Sequence, residues 1–249
     1  MKYLPPVFCS LPILLAMAAI SFENANAEEP MKFVIAIHGG AGGEPTSPER
    51  AEAKLAGLRQ ALAAGRDVLS QGGTALDAVQ QAIIVLEDSP VFNAGKGSVL
   101  NTAGHCELDS SIMDGRDLSA GAVAGVTTVK NPILLARQVM DQTPHLLLAG
   151  QGAEEFARRA KVDLVDPSYF HTEYQRARWE AAQQKKQNSG TNRQGEPSGQ
   201  STSHAPYLGT VGCVALDRQG NLAAGTSTGG TYDKLPGRIG DSPIIGAGL

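Results

Sequence analysis

The segment Gly209-Thr210-Val211-Gly212-Cys213-Val214-Ala215-Leu216-Asp217 decides how the rest of this chain is interpreted. An apolar, strand-forming run begins there directly after the most polar part of the sequence, and such a change is typical of a cleavage site. A threonine hydroxyl is a poor nucleophile unless a base takes its proton, and an N-terminal threonine carries a base in its own α-amine. If the bond between Gly209 and Thr210 is cut, Thr210 is therefore nucleophile and base together. The alternative is an ordinary strand that opens with Gly-Thr after a linker.

The segments on either side of this run differ sharply in composition. Residues 183–205 consist almost wholly of Gln, Lys, Asn, Ser, Gly and Pro, with little apolar surface to bury, so we predict a flexible linker. After Asp217, a turn at residues 218–221 and a second apolar run at residues 222–228 predict a β-hairpin. The second strand continues into a hydroxyl-rich stretch, residues 225–231.

The N-terminus has the features of an export signal. Lys2 precedes an apolar run at residues 11–20 and the small-residue site Ala25-Asn26-Ala27, so we predict a signal peptide at residues 1–27. The apolar run is too short for a membrane span. We therefore expect a secreted or periplasmic protein.

Composition limits the class of protein. With 249 residues and 42% hydrophobic content, the chain can form one sizeable core. A net charge of -4 without a basic cluster argues against nucleic acid or an anionic membrane as partner. Outside the predicted signal, only Cys106 and Cys213 remain, too few for a disulfide framework.

Periodicity predicts alternating strands and helices. A buried strand at residues 33–37 precedes a glycine-dense loop, residues 38–43, which lets backbone approach something closely but lacks the residues of a phosphate-binding loop. A helix follows Ser47, with Leu55, Leu58, Leu62 and Leu69 on one face, and a more apolar helix follows Thr74. Further strands are predicted at residues 99–100, 106–113, 118–129 and 145–149, and further helices at residues 131–140 and 153–160.

The loop at residues 86–98 is rich in Asn, Gly and Pro. This composition suits an irregular backbone with carbonyls turned inward, which favours a bound cation or water.

Five motifs, in order along the chain, carry a resemblance to a known family. The sequence resembles the plant-type L-asparaginase/isoaspartyl peptidase family of N-terminal nucleophile hydrolases, at His38-Gly39-Gly40-Ala41-Gly42, Phe92-Asn93-Ala94-Gly95-Lys96-Gly97, Gly209-Thr210-Val211-Gly212, Thr226-Ser227-Thr228-Gly229-Gly230 and Lys234-Leu235-Pro236-Gly237-Arg238-Ile239-Gly240-Asp241-Ser242-Pro243. The match covers almost all of the chain after residue 27.

The resemblance implies a fold, a maturation step and an activity. The fold is α+β, a four-layer αββα sandwich with two antiparallel sheets between helices. The precursor cuts itself between Gly209 and Thr210 into an α subunit, residues 28–209, and a β subunit, residues 210–249. Thr210 then attacks the side-chain amide of L-asparagine or the isopeptide bond of a β-aspartyl dipeptide, with Thr228 hydrogen-bonded to it. The resemblance implies no cofactor for catalysis.

The resemblance also implies a substrate site. Arg238 would hold the α-carboxylate and Asp241 the α-ammonium of an amino acid, a pairing that guanidinium and carboxylate chemistry supports. Ile239 and Gly240 complete that motif, and Asn93 is oriented towards the active site. Without the resemblance, Arg238 and Asp241 read as solvated loop charges and Asn93 as a turn residue.

A structural sodium ion and an assembly are implied as well. The ion would be bound by backbone carbonyls of the 86–96 loop, those of Leu86, Glu87, Ser89, Phe92, Ala94 and Lys96. The family pattern implies an (αβ)₂ assembly.

The chain departs from the family at its end. It stops at Leu249, whereas the family pattern continues through further strands and the Thr-Gly-rich segment of its oxyanion hole. We therefore expect a fold that is incomplete at the C-terminus and an activity impaired by truncation, since one lost oxyanion donor costs about 10²–10³ in kcat.

Other functions remain as alternatives. The first is an inactive truncated homologue or an amino-acid-binding protein without turnover, which keeps Arg238 and Asp241. A G-x-S-x-G nucleophile elbow at residues 225–229 is disfavoured because all five histidines precede Ser227, where that fold needs one after it. A glycosylasparaginase is disfavoured by the Gly-Thr-Val-Gly context and the lack of paired cysteines.

Overall fold

One six-stranded sheet organises the part of the chain that the structure, a computed structural model, describes: residues 32–40, 47–190 and 208–249. The strand order is β1-β5-β6-β2-β3-β4, with neighbours antiparallel except for the parallel pair β3 and β4. The strands are β1 (Val34–His38), β2 (Leu108–Asp114), β3 (Ala120–Val126), β4 (Leu147–Ala149), β5 (Leu208–Leu216) and β6 (Leu222–Thr231).

The central pair of strands is the predicted hairpin. Strands β5 and β6 pair so that Thr210 lies opposite Thr228, with a register shift just before Thr210. The turn is closed by Asp217, whose Oδ1 accepts hydrogen bonds from the N–H groups of Gln219 and Asn221 at 3.0 and 2.9 Å.

Five α-helices lie in the described residues, and the starts of the first two follow local capping chemistry. Ser47 Oγ accepts the N–H of Arg50 at 3.3 Å, and Thr74 Oγ1 accepts that of Asp77 at 3.1 Å. The predicted starts at these two caps are therefore confirmed. The helices are α1 (Pro48–Ser70), α2 (Ala75–Asp88), α3 (Pro132–Gln142), α4 (Gly150–Arg159) and α5 (Glu173–Gly190).

The core lies between one face of the sheet and the helices. Helix α2 packs on β5 and β6, and α3 packs on β2 and β3. Val79, Ile83 and Ile112 are fully buried there, and burial of such a side chain stabilises the fold by about 1.5–3 kcal/mol. Gly225 is required by this packing, because a Cβ there would lie 2.8 Å from Val79 Cγ1.

The opposite face of the sheet is more open. Val34, Val214 and Leu222 are 57%, 52% and 59% exposed, although all three are large apolar residues on strands. The described residues thus form a mixed α/β structure around a single sheet. The prediction of two antiparallel sheets goes beyond this, because β2 pairs with β6 and β3 pairs with β2, so these strands join the others in one sheet.

The buried face of α1 differs from the predicted one. Leu55 and Leu62 are 47% and 39% exposed, and the buried residues are instead Gly57, Ala61, Gly65 and Leu69. The reason is close packing: a Cβ at Gly57 would lie 2.8 Å from the Phe92 ring, and one at Gly65 would lie 2.3 Å from Ile35 Cδ1.

Two further predictions need correction. Residues 99–100 form no strand, and the Leu100 carbonyl instead accepts the N–H of Asp233. Residues 183–190 of the predicted linker belong to α5, since Gln and Lys favour helix, and Trp179 Nε1 anchors that helix on the Asn101 carbonyl at 2.9 Å. Residues 191–205, like the predicted signal peptide, lie outside the described residues. Nowhere in the described ranges is a helix both long and apolar enough to span a bilayer.

Candidate active site

The carbonyl of Gly209, at the predicted cleavage bond, is held by two side-chain donors. Asn93 Nδ2 donates to this oxygen at 2.6 Å, and Thr228 Oγ1 donates to it at 2.9 Å. Two donors on one carbonyl oxygen stabilise negative charge that develops there when the carbonyl carbon is attacked.

Both donors are fixed by further hydrogen bonds. Asn93 Oδ1 accepts the N–H of Val99 at 2.9 Å, and its Nδ2 also reaches the carbonyl of Gly230 at 2.7 Å. Thr228 Oγ1 accepts the N–H of Gly230 at 2.9 Å, which leaves its own proton for the Gly209 carbonyl. The loop after α2 and strand β6 therefore converge on one oxygen atom.

Two glycines allow the backbone to approach this bond. A Cβ at Gly40 would lie 3.2 Å from Gly209 Cα, and its φ of +107° is one that side-chain-bearing residues rarely adopt. A Cβ at Gly209 would lie 2.8 Å from Asn93 Cβ. The glycine loop after β1 was predicted to admit a close approach, and what approaches Gly40 is the backbone of Gly209 and Thr210.

The predicted nucleophile has a neighbour that the sequence did not indicate. Thr210 Oγ1 lies 3.2 Å from Ser242 Oγ, and Ser242 is only 3% exposed. Thr228 was predicted to bond the Thr210 hydroxyl, but in this intact chain its hydroxyl donates to the Gly209 carbonyl. Ser242 stands beside Asp241 in a recognised motif, and that adjacency was the one available signal.

Most of the predicted substrate residues meet in a cleft beside Thr210. Arg238, Gly240 and Asp241 line it together with Thr210 and Thr228. Its free volume of about 20 Å³ is near that of one water molecule, so the intact chain leaves little room for a substrate.

Two side chains of opposite charge, Arg238 and Asp241, lie at the cleft. Arg238 and Asp241 are both exposed, and neither forms an ion pair with another residue in the described ranges. A Cβ at Gly240 would lie 2.8 Å from Arg238 Nη1, so this glycine lets the guanidinium fold back over the loop. Ile239, in contrast, is 41% exposed and does not line the cleft.

Buried charges anchor the loop that carries Arg238. Lys234 is 5% exposed and donates from Nζ to the Glu107 carbonyl at 3.0 Å, while Glu107 Oε1 accepts the N–H of Gly237 at 2.8 Å. Burial lowers the pKa of Lys234, and the carboxylates of Asp109 and Glu107 oppose that change. Burial raises the pKa of Asp109, which lies opposite Thr228 on β2. None of the three could be assigned a role from the sequence: Lys234 entered only as the first residue of a motif, and nothing in the local pattern of Glu107 or Asp109 distinguishes them from surface charges.

The two cysteines are not candidates for the nucleophile. Cys106 and Cys213 are buried and free, and burial raises the pKa of both thiols to about 12. A thiol with such a pKa is not ionised at neutral pH.

In the 86–96 loop, two main-chain carbonyl oxygens lie against glycines. A Cβ at Gly95 would lie 2.3 Å from the Glu87 carbonyl oxygen, and one at Gly97 would lie 2.0 Å from that of Phe92. This cradle fits an ion bound by backbone oxygens, and the sodium site stays a prediction. Within the described ranges, no cluster of three or more His, Cys, Asp or Glu side chains is placed to bind a metal ion.

The side chain of Glu87 lies beneath the site. Its Oε1 accepts hydrogen bonds from Ser227 Oγ at 2.6 Å and from the N–H of Ile133 at 3.0 Å, while no described residue bonds its Oε2. Burial raises the pKa of this carboxyl to about 8. Glu87 therefore reaches the strand position next to Thr228 from the helix side of the sheet.

Comparison with known proteins gives a consistent result. The family model described as asparaginase (Asparaginase_2) matches residues 31–249. The chain is similar to the isoaspartyl peptidase/L-asparaginase of Homo sapiens, with 47% identity over 218 residues, and to that of Bos taurus, with 48%. Each alignment covers 88% of this chain and 67% of the relative. The chain therefore belongs to the asparaginase family of enzymes.

Proposed function

We propose that this protein is a threonine-dependent amidohydrolase that cleaves its own chain between Gly209 and Thr210 and hydrolyses L-asparagine and β-aspartyl dipeptides. The observation that carries the proposal is the Gly209 carbonyl, with Asn93 Nδ2 at 2.6 Å and Thr228 Oγ1 at 2.9 Å. A carbonyl held by two donors immediately before a threonine is prepared for attack by that threonine.

In maturation, Thr210 attacks the carbonyl of the residue before it. The Thr210 hydroxyl adds to the Gly209 carbonyl carbon, and Asn93 and Thr228 stabilise the oxyanion. Collapse breaks the C–N bond and leaves Gly209 esterified to Thr210 Oγ1, with the α-amine of Thr210 free. Water then hydrolyses the ester, so the carboxylate leaves with Gly209 and the hydroxyl returns to Thr210.

Turnover uses the same oxygen with a new base. The α-amine takes the hydroxyl proton, because its ordinary pKa of about 7.7–8.0 suits a base at neutral pH. Attack on the substrate's side-chain carbonyl gives an acyl-enzyme and releases ammonia from L-asparagine, or the second amino acid from a β-aspartyl dipeptide. Hydrolysis of the acyl-enzyme releases L-aspartate.

Arg238 and Asp241 are the proposed clamp for the amino-acid head group. Their exposure on the rim of the cleft and their lack of ion-pair partners in the described ranges support this role. Cleavage frees the amino side of Thr210, and we propose that the substrate occupies the space that the chain before Thr210 leaves.

The finer features of the fold belong to this proposal. A four-layer αββα sandwich needs a second sheet over the face that carries Val34, Val214 and Leu222, and their exposure supports such a cover. We further propose a structural sodium ion in the 86–96 loop, an (αβ)₂ assembly, and export directed by residues 1–27.

Electrophoresis of the purified full chain tests the proposal. After incubation at neutral pH we expect two polypeptides from the wild type and one from Thr210→Ala. Thr210→Ser keeps a hydroxyl and should still cleave. An intact wild type that binds L-aspartate would support the amino-acid-binding alternative instead, and cleavage of Thr210→Ala at the wild-type rate would contradict the proposal.

A further inference from the structure

A pair of buried hydroxyls lies behind Ser242, one on β2 and one on β6. Ser111 on β2 and Thr226 on β6 lie opposite each other, and both are buried, with Thr226 only 6% exposed. Ser111 Oγ is 2.6 Å and Thr226 Oγ1 is 2.9 Å from the carbonyl oxygen of Ser242. The two hydroxyl oxygens are 3.0 Å from each other.

In this cluster at least one of the two hydroxyls donates a hydrogen bond to the Ser242 carbonyl. The two hydroxyls carry two protons, and three short contacts join the three oxygens. Even when one hydroxyl donates to the other, the second donates to Ser242. The cluster is also buried, where a hydrogen bond is stronger than in water and an unsatisfied partner is costly.

The held residue is the one that touches the predicted nucleophile. Ser242 Oγ lies 3.2 Å from Thr210 Oγ1, so fixing the Ser242 main chain fixes the position of that hydroxyl contact. Asp241 immediately precedes Ser242, and its carbonyl accepts the N–H of Ile244 at 2.8 Å in a tight turn. The hydrogen bonds from Ser111 and Thr226 therefore also restrain Asp241, whose carboxylate is proposed to bind the substrate ammonium.

We infer that Ser111 and Thr226 are positioning residues, which hold Ser242 so that its hydroxyl orients Thr210 for attack and Asp241 stays at the rim of the cleft. This inference rests on the proposed function of Thr210. Neither residue touches the reacting atoms, and both act through Ser242.

The test compares first-order rate constants of self-cleavage at Gly209. Thr226→Val keeps the side-chain shape and removes the hydroxyl, and Ser111→Ala removes the other one. We expect each to slow cleavage about tenfold and the double variant about a hundredfold, because misplacement of a reacting group by about 1 Å can cost 10²-fold. Thr226→Ser and Ser111→Thr restore a hydroxyl and should recover most of the rate.

Ser110→Ala is the matched control. Ser110 is equally buried on the same strand and donates to a main-chain carbonyl, that of Thr226, at 2.7 Å, but in the described residues it forms no hydrogen bond with Ser242. Its loss should lower the melting temperature about as much as Ser111→Ala does and leave the cleavage rate within about twofold.

The outcomes separate this inference from the proposed function. Wild-type cleavage that Thr210→Ala abolishes, combined with unchanged rates in Thr226→Val and Ser111→Ala, overturns the inference alone. Equal slowing by Ser110→Ala also overturns it, since the effect would then follow stability. A wild type that does not cleave overturns the proposed function, and the inference falls with it.

Discussion

The β5–β6 hairpin has two ends, and a buried carboxyl group at each shows how differently they are built. At the turn, Asp217 accepts hydrogen bonds from the N–H groups of Ala75, Gln219 and Asn221. Beneath the other end, Glu87 bonds Ser227 but has one oxygen without a partner in the described residues. Burial opposes ionisation of Asp217, yet its hydrogen bonds lower its pKa, whereas burial raises that of Glu87 to about 8.

The turn end of the hairpin anchors it, and the other end carries the groups proposed to react. The turn end is saturated with hydrogen bonds and ties the hairpin to the N-terminus of α2. The other end brings a close approach of glycine backbone, a doubly held carbonyl and a threonine hydroxyl together. Substitutions at the turn end should therefore change stability, and those at the other end should change the rate of cleavage.

The largest expected effect is at the reactive end, in Thr228→Val. The variant keeps the side-chain shape but removes one of the two donors on the Gly209 carbonyl, so self-cleavage should slow by about 10²–10³. Quantifying intact chain over time gives the rate. Thr228→Ser, which keeps the donor, should stay close to the wild type, and an unchanged rate in Thr228→Val would remove this residue from the mechanism.

Arg238→Ala should weaken binding of the amino-acid head group. Loss of a charge-assisted contact costs about 1.5–3 kcal/mol, which raises the KM for L-asparagine about tenfold to a hundredfold. The KM of Arg238→Lys should lie between those of the wild type and Arg238→Ala, because lysine keeps the charge without the bidentate geometry. Steady-state kinetics on the cleaved protein, or calorimetry with L-aspartate, measures this. Unaltered affinity in Arg238→Ala would show that the clamp is wrong.

At the anchored end, Asp217→Asn should destabilise the fold and spare the chemistry. An amide cannot accept all the hydrogen bonds that the carboxylate accepts, so the free energy of unfolding should fall by about 1–3 kcal/mol. Because the pKa of Asp217 is lowered, the stability it contributes is present above its unfolded pKa and is lost as pH falls through the folded value. Chemical denaturation measures the loss, and a cleavage rate that drops in the folded variant would contradict the separation of the two ends.

The last expected effect is the pH dependence of stability that Glu87 imposes. Its folded pKa of about 8 lies above the unfolded value of about 4.3, so its contribution is complete at low pH and is lost as pH rises towards 8. The slope is at most about 1.4 kcal/mol per pH unit. Glu87→Gln mimics the neutral acid. In denaturation experiments at pH 5, 6 and 7, its free energy of unfolding relative to that of the wild type should therefore increase as pH rises. Parallel curves for the two proteins would argue that Glu87 is ionised in the folded state.

Local patterns predicted the elements well where capping and apolar periodicity were strong. Ser47 and Thr74 start helices as expected, and the hairpin around residues 218–221 forms. The prediction of the buried face of α1 was wrong, because leucine spacing cannot reveal that Gly57 and Gly65 lie against close neighbours. The single sheet could not be predicted, since pairing of β2 with β6 joins residues more than a hundred positions apart.

Residues of the candidate site were predicted only where they belong to a recognised motif. Motif positions put Arg238, Gly240 and Asp241 in one cleft with Thr210 and Thr228. Ser111 and Lys234 were missed as supporting residues, because their roles arise from burial and from partners far along the chain.

The most direct test of the central claim is the N-terminal residue and mass of the smaller polypeptide after the purified chain is incubated. We predict a fragment that begins with Thr210, released at a rate independent of protein concentration. An unbroken chain after prolonged incubation, or a fragment that begins at any other residue, would contradict it.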